Sequence, residues 1–488
     1  MFKKACLCVM AVIFALLPSV LNAQAPDTLW TRRYNGPANG YDESEACMID
    51  GWGNLYVTGY SSNGTNYDYL TVKYNISGDT LWTRRYNGPS NDMEGAYSCA
   101  VDGLGNLYVT GWSPNDPDAD YLTIKYNELG DTIWTRWYNG PANGGDIARS
   151  CAVDSINNLY VVGYSSNGTD ADYLTIKYKA DGETLWTRRY NNPPYGAIAT
   201  DCAVDCLGNL YVVGYSSNGT NDDYLTIKYN ADGDTLWSRR YNGPANGGDR
   251  ASGCAVDGLG NLYVVGQSHN GSNYDCLTIK YNTAGDTLWT CLFNGPFNGS
   301  DGASDCAVDG IDNIYVTGRS YNGINDDYLT IKYNDLGDTI WTCRYNGPAN
   351  SNDYATGCVV DSSGNLYVTG YSYSNTNADY LTIKYNTATG VTGNPEPPII
   401  GNKLRLEQNR PNPFNQHTTI SYQLPTSGTA SLKIYNAAGQ LVKTFDMGQQ
   451  QAGHHQVEWS DSKITAGVYF YRLTAGNYQA TKKLVVVK

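Results

Sequence analysis

Histidine is almost missing. Among 488 residues there are 4, and three of them (His417, His454 and His455) lie in the last part of the chain. A Ser–His–Asp triad or a histidine-based metal centre in the first 400 residues would have to be built on His269 alone. His269 sits in a loop with no recurring partner, and His454–His455 reads as a solvent-facing pair in a hairpin. Charge is also sparse, at 16% of residues, and the net charge of -14 leaves no basic surface for phosphates. The balance argues against nucleic acid and anionic membrane as partners, and no nucleic acid is expected. Helix formers are scarce after residue 25, and no apolar run beyond it is long enough to cross a bilayer, so the mature chain is expected to lack a transmembrane segment.

What is present is strand-and-turn material: 43 Tyr and 53 Gly, with abundant Asn, Asp and Thr. The first residues form a secretory leader. Lys3 and Lys4 precede the apolar run Ala5–Leu17, then Pro18 and a small-residue site ending at Ala23, so residues 1–23 are expected to be removed.

Four blocks then recur seven times each. The Trp of "DTLWTRRYN" stands at Trp30, Trp82, Trp134, Trp186, Trp237, Trp289 and Trp341, a spacing of 52 residues with a single 51. Between these come "SCAVD" (Cys47, Cys99, Cys151, Cys202, Cys254, Cys306 and Cys358), "GNLYVTG" and "DYLTIKYN". Each block alternates apolar and polar residues and ends at Gly-containing turns, so each predicts a strand. Four strands in a period near 50 predict a propeller blade. The short "CAV" strand suits the crowded axis and the Trp- and Arg-bearing strand the wide rim. The chain opens on a lone rim strand, Asp27–Asn35, and its last repeat ends at Asp379–Asn386 without one. Pairing of the two predicts a ring of seven blades closed by the N-terminal strand.

"DRASGCAVDGLGNLYVVG" (Asp249–Gly266) with "DCLTIKYNTAGDTLWT" resembles the bacterial seven-bladed β-propeller repeat of secreted and surface proteins, over roughly residues 27–390. The resemblance implies a fold and an exported location, and no catalytic residues. After a Pro- and Gly-containing linker, residues 391–403, the segment 404–488 reads as a small Ig-like β-sandwich of about seven strands. Its "NPFN" near Pro413, "YNAAGQ", "AGVYFYRL" and terminal "TKKLVVVK" resemble the C-terminal sorting domain of the bacterial type IX secretion system. That resemblance implies the type IX machinery as a partner and a secreted or outer-surface location. The expected architecture is thus all-β: a leader (1–23), a seven-bladed propeller (24–390), a linker and the sandwich.

Candidate site residues come from the loops. The face carrying "SSNGTND" has the long connections, whereas the other has only tight turns, so the long-loop face is the expected binding face. Five residues before the inner-strand Cys stand Asp42, Glu94, Asp146, Asp249, Asp301 and Asp353, with Ala197 breaking the series. Such a ring could hold Ca²⁺ or cap loops locally. The Asp closing each inner strand, Asp50 and its equivalents, is read as a turn cap. Two residues before the Cys stand Glu45, Tyr97, Arg149, Thr200, Ser252, Ser304 and Thr356. Their variation breaks the sevenfold symmetry, as a single off-axis ligand requires. The ligand-binding set is Glu45, Glu94, Tyr97, Asp146, Arg149, Asp249, Arg250, Asp301 and Asp353. No catalytic residue and no cofactor is expected.

Eleven cysteines remain past the leader. The seven inner-strand ones are too far apart for disulfides and read as small buried hydrophobes. Cys276 and Cys291, within one hairpin, could form a disulfide, depending on whether a bulge shifts the register. The expected function is a non-enzymatic binding or interaction module for a glycan or a protein. The alternatives are a polysaccharide-degrading enzyme using channel-mouth carboxylates, and a surface scaffold without a discrete ligand.

Overall fold

The computed structural model describes residues 26–387 except 117, 193–194 and 375–376. Within 405–487 it describes all but 407–408, 410–411, 413, 416, 425–427, 437–439, 451–452, 461–463 and 476–477. The leader and the linker lie outside the described residues. The chain divides into two units, the first running to Gly390 and the second from Val391. The fold is all-β and propeller-like, built of four-stranded antiparallel sheets, with no helix among the described residues.

Each sheet is one meander. The first comprises Asp42–Ile49, Leu55–Ser62, Tyr67–Tyr74 and Thr80–Tyr86, paired in that order. The tight turns work because their left-handed position is filled by residues that tolerate it. In the inner hairpins this is Gly53 (φ 84°) or its counterparts, and Asn157 (φ 66°) or Asp312 (φ 64°) where glycine is absent. The last sheet draws on both ends of the array. Asp353–Val360, Asn365–Tyr373 and Ala378–Asn386 are joined by Asp27–Tyr34, which pairs Asp27 with Asn386 and Tyr34 with Tyr380.

The apolar core lies between sheets. Cys47, Leu55, Val57, Leu70 and Val72 of the first sheet cluster with Tyr367 and Tyr380 of the last. Leu107, Val109, Leu122 and Ile124 of the second cluster with Tyr56 and Tyr69 of the first. A third-strand tyrosine spans five of the junctions, as in Tyr69 Oη donating to Leu122 O at 3.3 Å and Tyr380 Oη to Leu70 O at 3.4 Å. This explains the glycine of every "TG" or "VG". A Cβ on Gly59 would fall 2.1 Å from Glu43 O and 2.7 Å from the Tyr380 hydroxyl. On the rim, Arg32 donates to Gly78 O at 2.7 Å and Arg84 to Gly130 O at 2.8 Å, tying each sheet to the next hairpin.

A buried polar pillar repeats in the sheets. Asp50 accepts from Trp52 N (3.0 Å), Asn54 N (2.8 Å), Asn54 Nδ2 (2.8 Å) and Tyr56 Oη (3.3 Å). Lys73 Nζ stands 3.8 Å from the same carboxylate and 4.8 Å from the centre of the Tyr56 ring. The Asp is a turn cap, as the sequence implied, and also half of an ion pair.

In the second unit one sheet contains Arg405–Leu406, His417–Leu424 and Gly453–Ser460. The other contains Leu441–Gln450, Gly428–Asn436, Gly467–Ala475 and Tyr478–Val486. One apolar cluster joins them, with Phe414 of the "NPFN" motif edge-on to Trp459 at 5.5 Å. His455 is half-buried and stacks on Tyr422 at 5.3 Å, so it is not the solvent-facing side chain expected of it.

Candidate ligand-binding site

Residues of the inner strands line a cavity of about 530 Å³. Each inner strand carries one irregularity at the same place: between Ser44 and Ala46, between Ala96 and Ser98, and so on to Ala355 and Gly357. The extra residue at each bulge is Glu45, Tyr97, Arg149, Thr200, Ser252, Ser304 or Thr356, and all seven line the cavity. A bulge re-aims side chains, so two neighbours in sequence face the channel together. Ser98, Ser150, Asp201 and Asp305 therefore line it as well.

Strict strand alternation would have turned those residues away, and the sequence reading missed Asp201 and Asp305 for that reason. Their signal was available. The position immediately before the Cys reads Ala46, Ser98, Ser150, Asp201, Gly253, Asp305 and Gly357, as variable as the position singled out. Much of their capacity is used inside the wall. Asp201 accepts from Ser150 Oγ (2.5 Å) and Cys254 N (2.7 Å). Asp305 accepts from Cys306 N (2.7 Å) and Cys358 N (2.8 Å). Burial and the Asp201 charge push the Asp305 carboxyl up to about 7.

A second ring stands on the next strand, directly across from residues of the inner strand. Its members are Tyr60, Trp112, Tyr164, Tyr215, Gln267, Arg319 and Tyr371, paired with Glu43, Gly95, Ile147, Ile198, Arg250, Gly302 and Tyr354. All seven side chains are half-buried. Five of them are aromatic, and Tyr371 packs against Tyr354 at 5.3 Å and Tyr373 at 6.0 Å.

Charge is distributed unevenly around the mouth. Glu43 accepts from Tyr60 Oη at 2.5 Å. Burial, reinforced by Glu43 and opposed by Arg149, pushes the Glu45 carboxyl up to about 8. The Arg149 guanidinium lies over the rings of Tyr97 (4.5 Å) and Tyr164 (5.8 Å). Arg250 lies over Tyr215 at 5.0 Å and is held by Asp222 at 2.7 Å.

The proposed acid ring is different. Asp42, Glu94, Asp146, Asp249, Asp301 and Asp353 are buried, and each accepts the amide of a turn glycine: Gly36, Gly88, Gly140, Gly243, Gly295 and Gly347. Glu94, Asp146, Asp249, Asp301 and Asp353 thus leave the candidate set, because each is turned into its own sheet to close the loop that precedes it. Among the described residues no group of three His, Cys, Asp or Glu could hold a metal ion, so the Ca²⁺ ring is not formed. Glu45, Tyr97, Arg149 and Arg250 remain together on the cavity.

His269 packs edge-on to Tyr274 at 5.1 Å, and its Nδ1 accepts from Gly271 N. It lines a separate cavity of about 280 Å³ with Pro244, Asp275 and Leu292. Cys276 and Cys291 are both free. The bulge beside Tyr281 places Cys276 opposite Phe293 and Cys291 opposite Thr278, so the two thiols are not cross-strand partners and the disulfide that the other register would have allowed is not formed. The Cys291 thiol instead faces Gly337 O at 3.2 Å, where an arginine stands in earlier repeats.

Comparison with known proteins matches the C-terminal region to the secretion system C-terminal sorting domain over residues 410–487. The β-propeller repeat family matches at residues 81–117 and 340–376. No curated protein matches the chain. Among solved structures, PorZ, a surface component of the type IX secretion system of Porphyromonas gingivalis, is 14% identical with a TM-score of 0.44. The match covers 93% of this chain and 60% of PorZ, so this chain spans about three-fifths of that protein. The propeller domain of the Trilobed protease of Pyrococcus furiosus is 10% identical (TM-score 0.42), covering 71% of this chain and 94% of that one. The polysaccharide lyase Uly1 is 12% identical (TM-score 0.45), covering 70% and 89%. By these two family matches the chain carries β-propeller repeats and a C-terminal sorting domain, and the sorting domain indicates secretion and attachment to the cell surface through the type IX system.

Proposed function

We propose that residues 24–390 form a closed seven-bladed propeller that acts as a non-enzymatic glycan-binding module, its ligand seated in the mouth of the axial channel. On this reading 391–403 is a linker, and 404–488 is an Ig-like sandwich serving export. The observation that supports the proposal is the composition of the cavity: the rings of Tyr97 and Tyr215 line it beside Glu45, Arg149, Gln267 and a set of Ser and Thr hydroxyls, and Tyr60, Trp112, Tyr164 and Tyr371 stand half-buried at the positions equivalent to Tyr215. Flat apolar faces beside fixed hydrogen-bonding groups suit the two sides of a sugar ring. The cavity also falls within the roughly 300–1,000 Å³ range of small-ligand sites. The test is a glycan array probed with the full chain. Binding should centre on one glycan class and be lost with Trp112→Ala and Tyr164→Ala at unchanged melting temperature. An array without hits would refute the glycan reading, and hits indifferent to both substitutions would refute a site in this mouth.

A second reading is hydrolysis, favoured by the Asp201 and Asp305 carboxylates in one channel, one of them raised to about 7. Their commitment to the backbone amides of Cys254, Cys306 and Cys358 argues for a wall-building role instead. Reducing-end release from a bound glycan that vanishes in Asp201→Asn and Asp305→Asn would establish the enzyme.

A further inference from the structure

We infer that the mouth is selective for an acidic sugar, whose carboxylate or sulfate oxygens are taken by the guanidinium of Arg149. This rests on the glycan-binding reading and specifies its ligand.

Arg149 and Arg250 line the cavity and Arg319 stands on a strand beside the inner one; the last two are already occupied. Arg250 is paired with Asp222 (2.7 Å) and Arg319 with Asp326 (3.7 Å). Arg149 makes no hydrogen bond or ion pair to a protein group among the described residues, although it lines the cavity. It is nevertheless held in place. It sits on the bulge of the third inner strand and lies over two rings, those of Tyr97 and Tyr164. Tyr97 is itself fixed by Trp112 Nε1 donating to its hydroxyl at 3.2 Å.

A guanidinium lying against two rings still has its edge to offer. That edge presents N–H donors in a planar fork, which matches two oxygens of a carboxylate or sulfate. An unpaired cation is costly in a half-enclosed cavity, and an anionic ligand removes that cost. Around it, the Ser98 hydroxyl can donate to a sugar oxygen, those of Ser150 and Thr200, which donate to Asp201 and Ala251 O, can accept from one, and Tyr215 supplies a further ring.

Glu45, on the same cavity, would oppose an anion if ionised. Glu43, Tyr60 and Tyr371 from the first and last sheets, together with Tyr97 and Arg149, are the titratable or charged groups around it. Its carboxyl is pushed up to about 8, so at neutral pH it carries its proton and can donate to an oxyanion. Above that pH it becomes a like charge, and affinity for an acidic sugar should fall.

The experiment is calorimetric titration of the full chain with three oligosaccharides: an oligogalacturonate, a sulfated oligogalactose and a neutral oligogalactose. At pH 7 at least one acidic oligomer should bind ten-fold or more tighter than the neutral one. Arg149→Gln should remove that preference, and Arg149→Lys, which keeps charge but not the fork, should lose most of it. Raising the pH to 9 should weaken acidic binding in the wild type and leave Glu45→Gln unaffected. Which acidic oligomer binds identifies carboxylate or sulfate as the oxyanion. Equal or tighter binding of the neutral oligomer, or an unchanged preference in a folded Arg149→Gln, overturns the inference while the glycan reading stands. Should the Gln variant fail to fold, the Lys variant decides by the same criterion. Binding of none of the three overturns the inference; an empty glycan array would overturn the underlying reading too.

Discussion

Replacing Asp50 with alanine should be among the most damaging single changes in the first sheet, and most of the damage should come from Lys73. The carboxylate accepts four hydrogen bonds and stands 3.8 Å from the ammonium, with side-chain exposures of 4% for Lys73 and 0% for Asp50. Removing one partner of a buried ion pair costs about 3–5 kcal/mol, because the other charge is left without compensation. Here Lys73 keeps a carbonyl, Glu128 O at 3.3 Å, and the Tyr56 ring, which places the cost near the lower end. The Trp52 and Asn54 amides lie in a turn that water can reach, and add about 1 kcal/mol together. The sum is about 4 kcal/mol. An unfolding entropy of about 2.1 cal/mol/K per residue over roughly 360 residues converts this to about 5 °C in melting temperature. Lys73→Met alone should cost about 1–2 kcal/mol, since Asp50 keeps its other four donors. The double variant Asp50→Ala/Lys73→Met should recover about 2 kcal/mol relative to Asp50→Ala. Differential scanning calorimetry of the full chain, following the transition of the larger unit, reads all three. A double variant as unstable as Asp50→Ala alone would refute the reasoning, because the stranded ammonium would then not be the source of the loss.

Deleting Asp27–Asn35 should unpair Ala378–Asn386 and lower the same transition far more than trimming a terminus does; a thermally silent deletion would sink the ring closure. Gly370→Ala should cost about 3 kcal/mol, since its Cβ would fall 2.0 Å from Tyr354 O and 2.6 Å from the Tyr328 hydroxyl, and an unchanged chemical-denaturation midpoint would contradict that packing. Stability should decline as pH rises from 5 to 9. The Asp305 and Glu45 carboxyls are raised in the folded chain, to about 7 and about 8, so the native state holds more protons than the unfolded state from about pH 4 upward. Their contribution is complete below the unfolded values and is lost through the folded ones. Asp305→Asn and Glu45→Gln should flatten the pH profile, and profiles parallel to wild type would count against both shifts. Under native conditions a thiol reagent should label Cys206, the one exposed cysteine among those described, and non-reducing mass spectrometry should find Cys276 and Cys291 unlinked.

Much of the architecture could be read from the chain because its information is local and repeated. Alternation marks the strands, glycine marks the turns, and the lone opening strand matches the one missing at the end. The site was harder to read, for two physical reasons. A bulge has no composition of its own, so nothing in "ARSCAV" announces that Arg149 and Ser150 both face the channel. Burial of an acid is equally silent: Asp146 looks like a loop ligand until Gly140 is found donating to it at 2.5 Å. The ring of Tyr60, Trp112, Tyr164, Tyr215 and Tyr371 was not singled out, because tyrosine is common throughout the repeats; its two polar members, Gln267 and Arg319, were the available signal that the position is not part of the apolar core.

The pairing of Asp27–Tyr34 with Ala378–Asn386 also sets an order of events in biosynthesis. The first strand of the array to leave the ribosome is the last to find its partner, which is made only after all seven inner strands. At about 5–20 residues per second that interval is tens of seconds. Throughout it the chain carries an open edge at its growing end and an unclaimed strand at its start. A product of stalled synthesis keeps both, whatever its length, and is recognisable to proteases by them. Only the finished chain can pair its own opening strand.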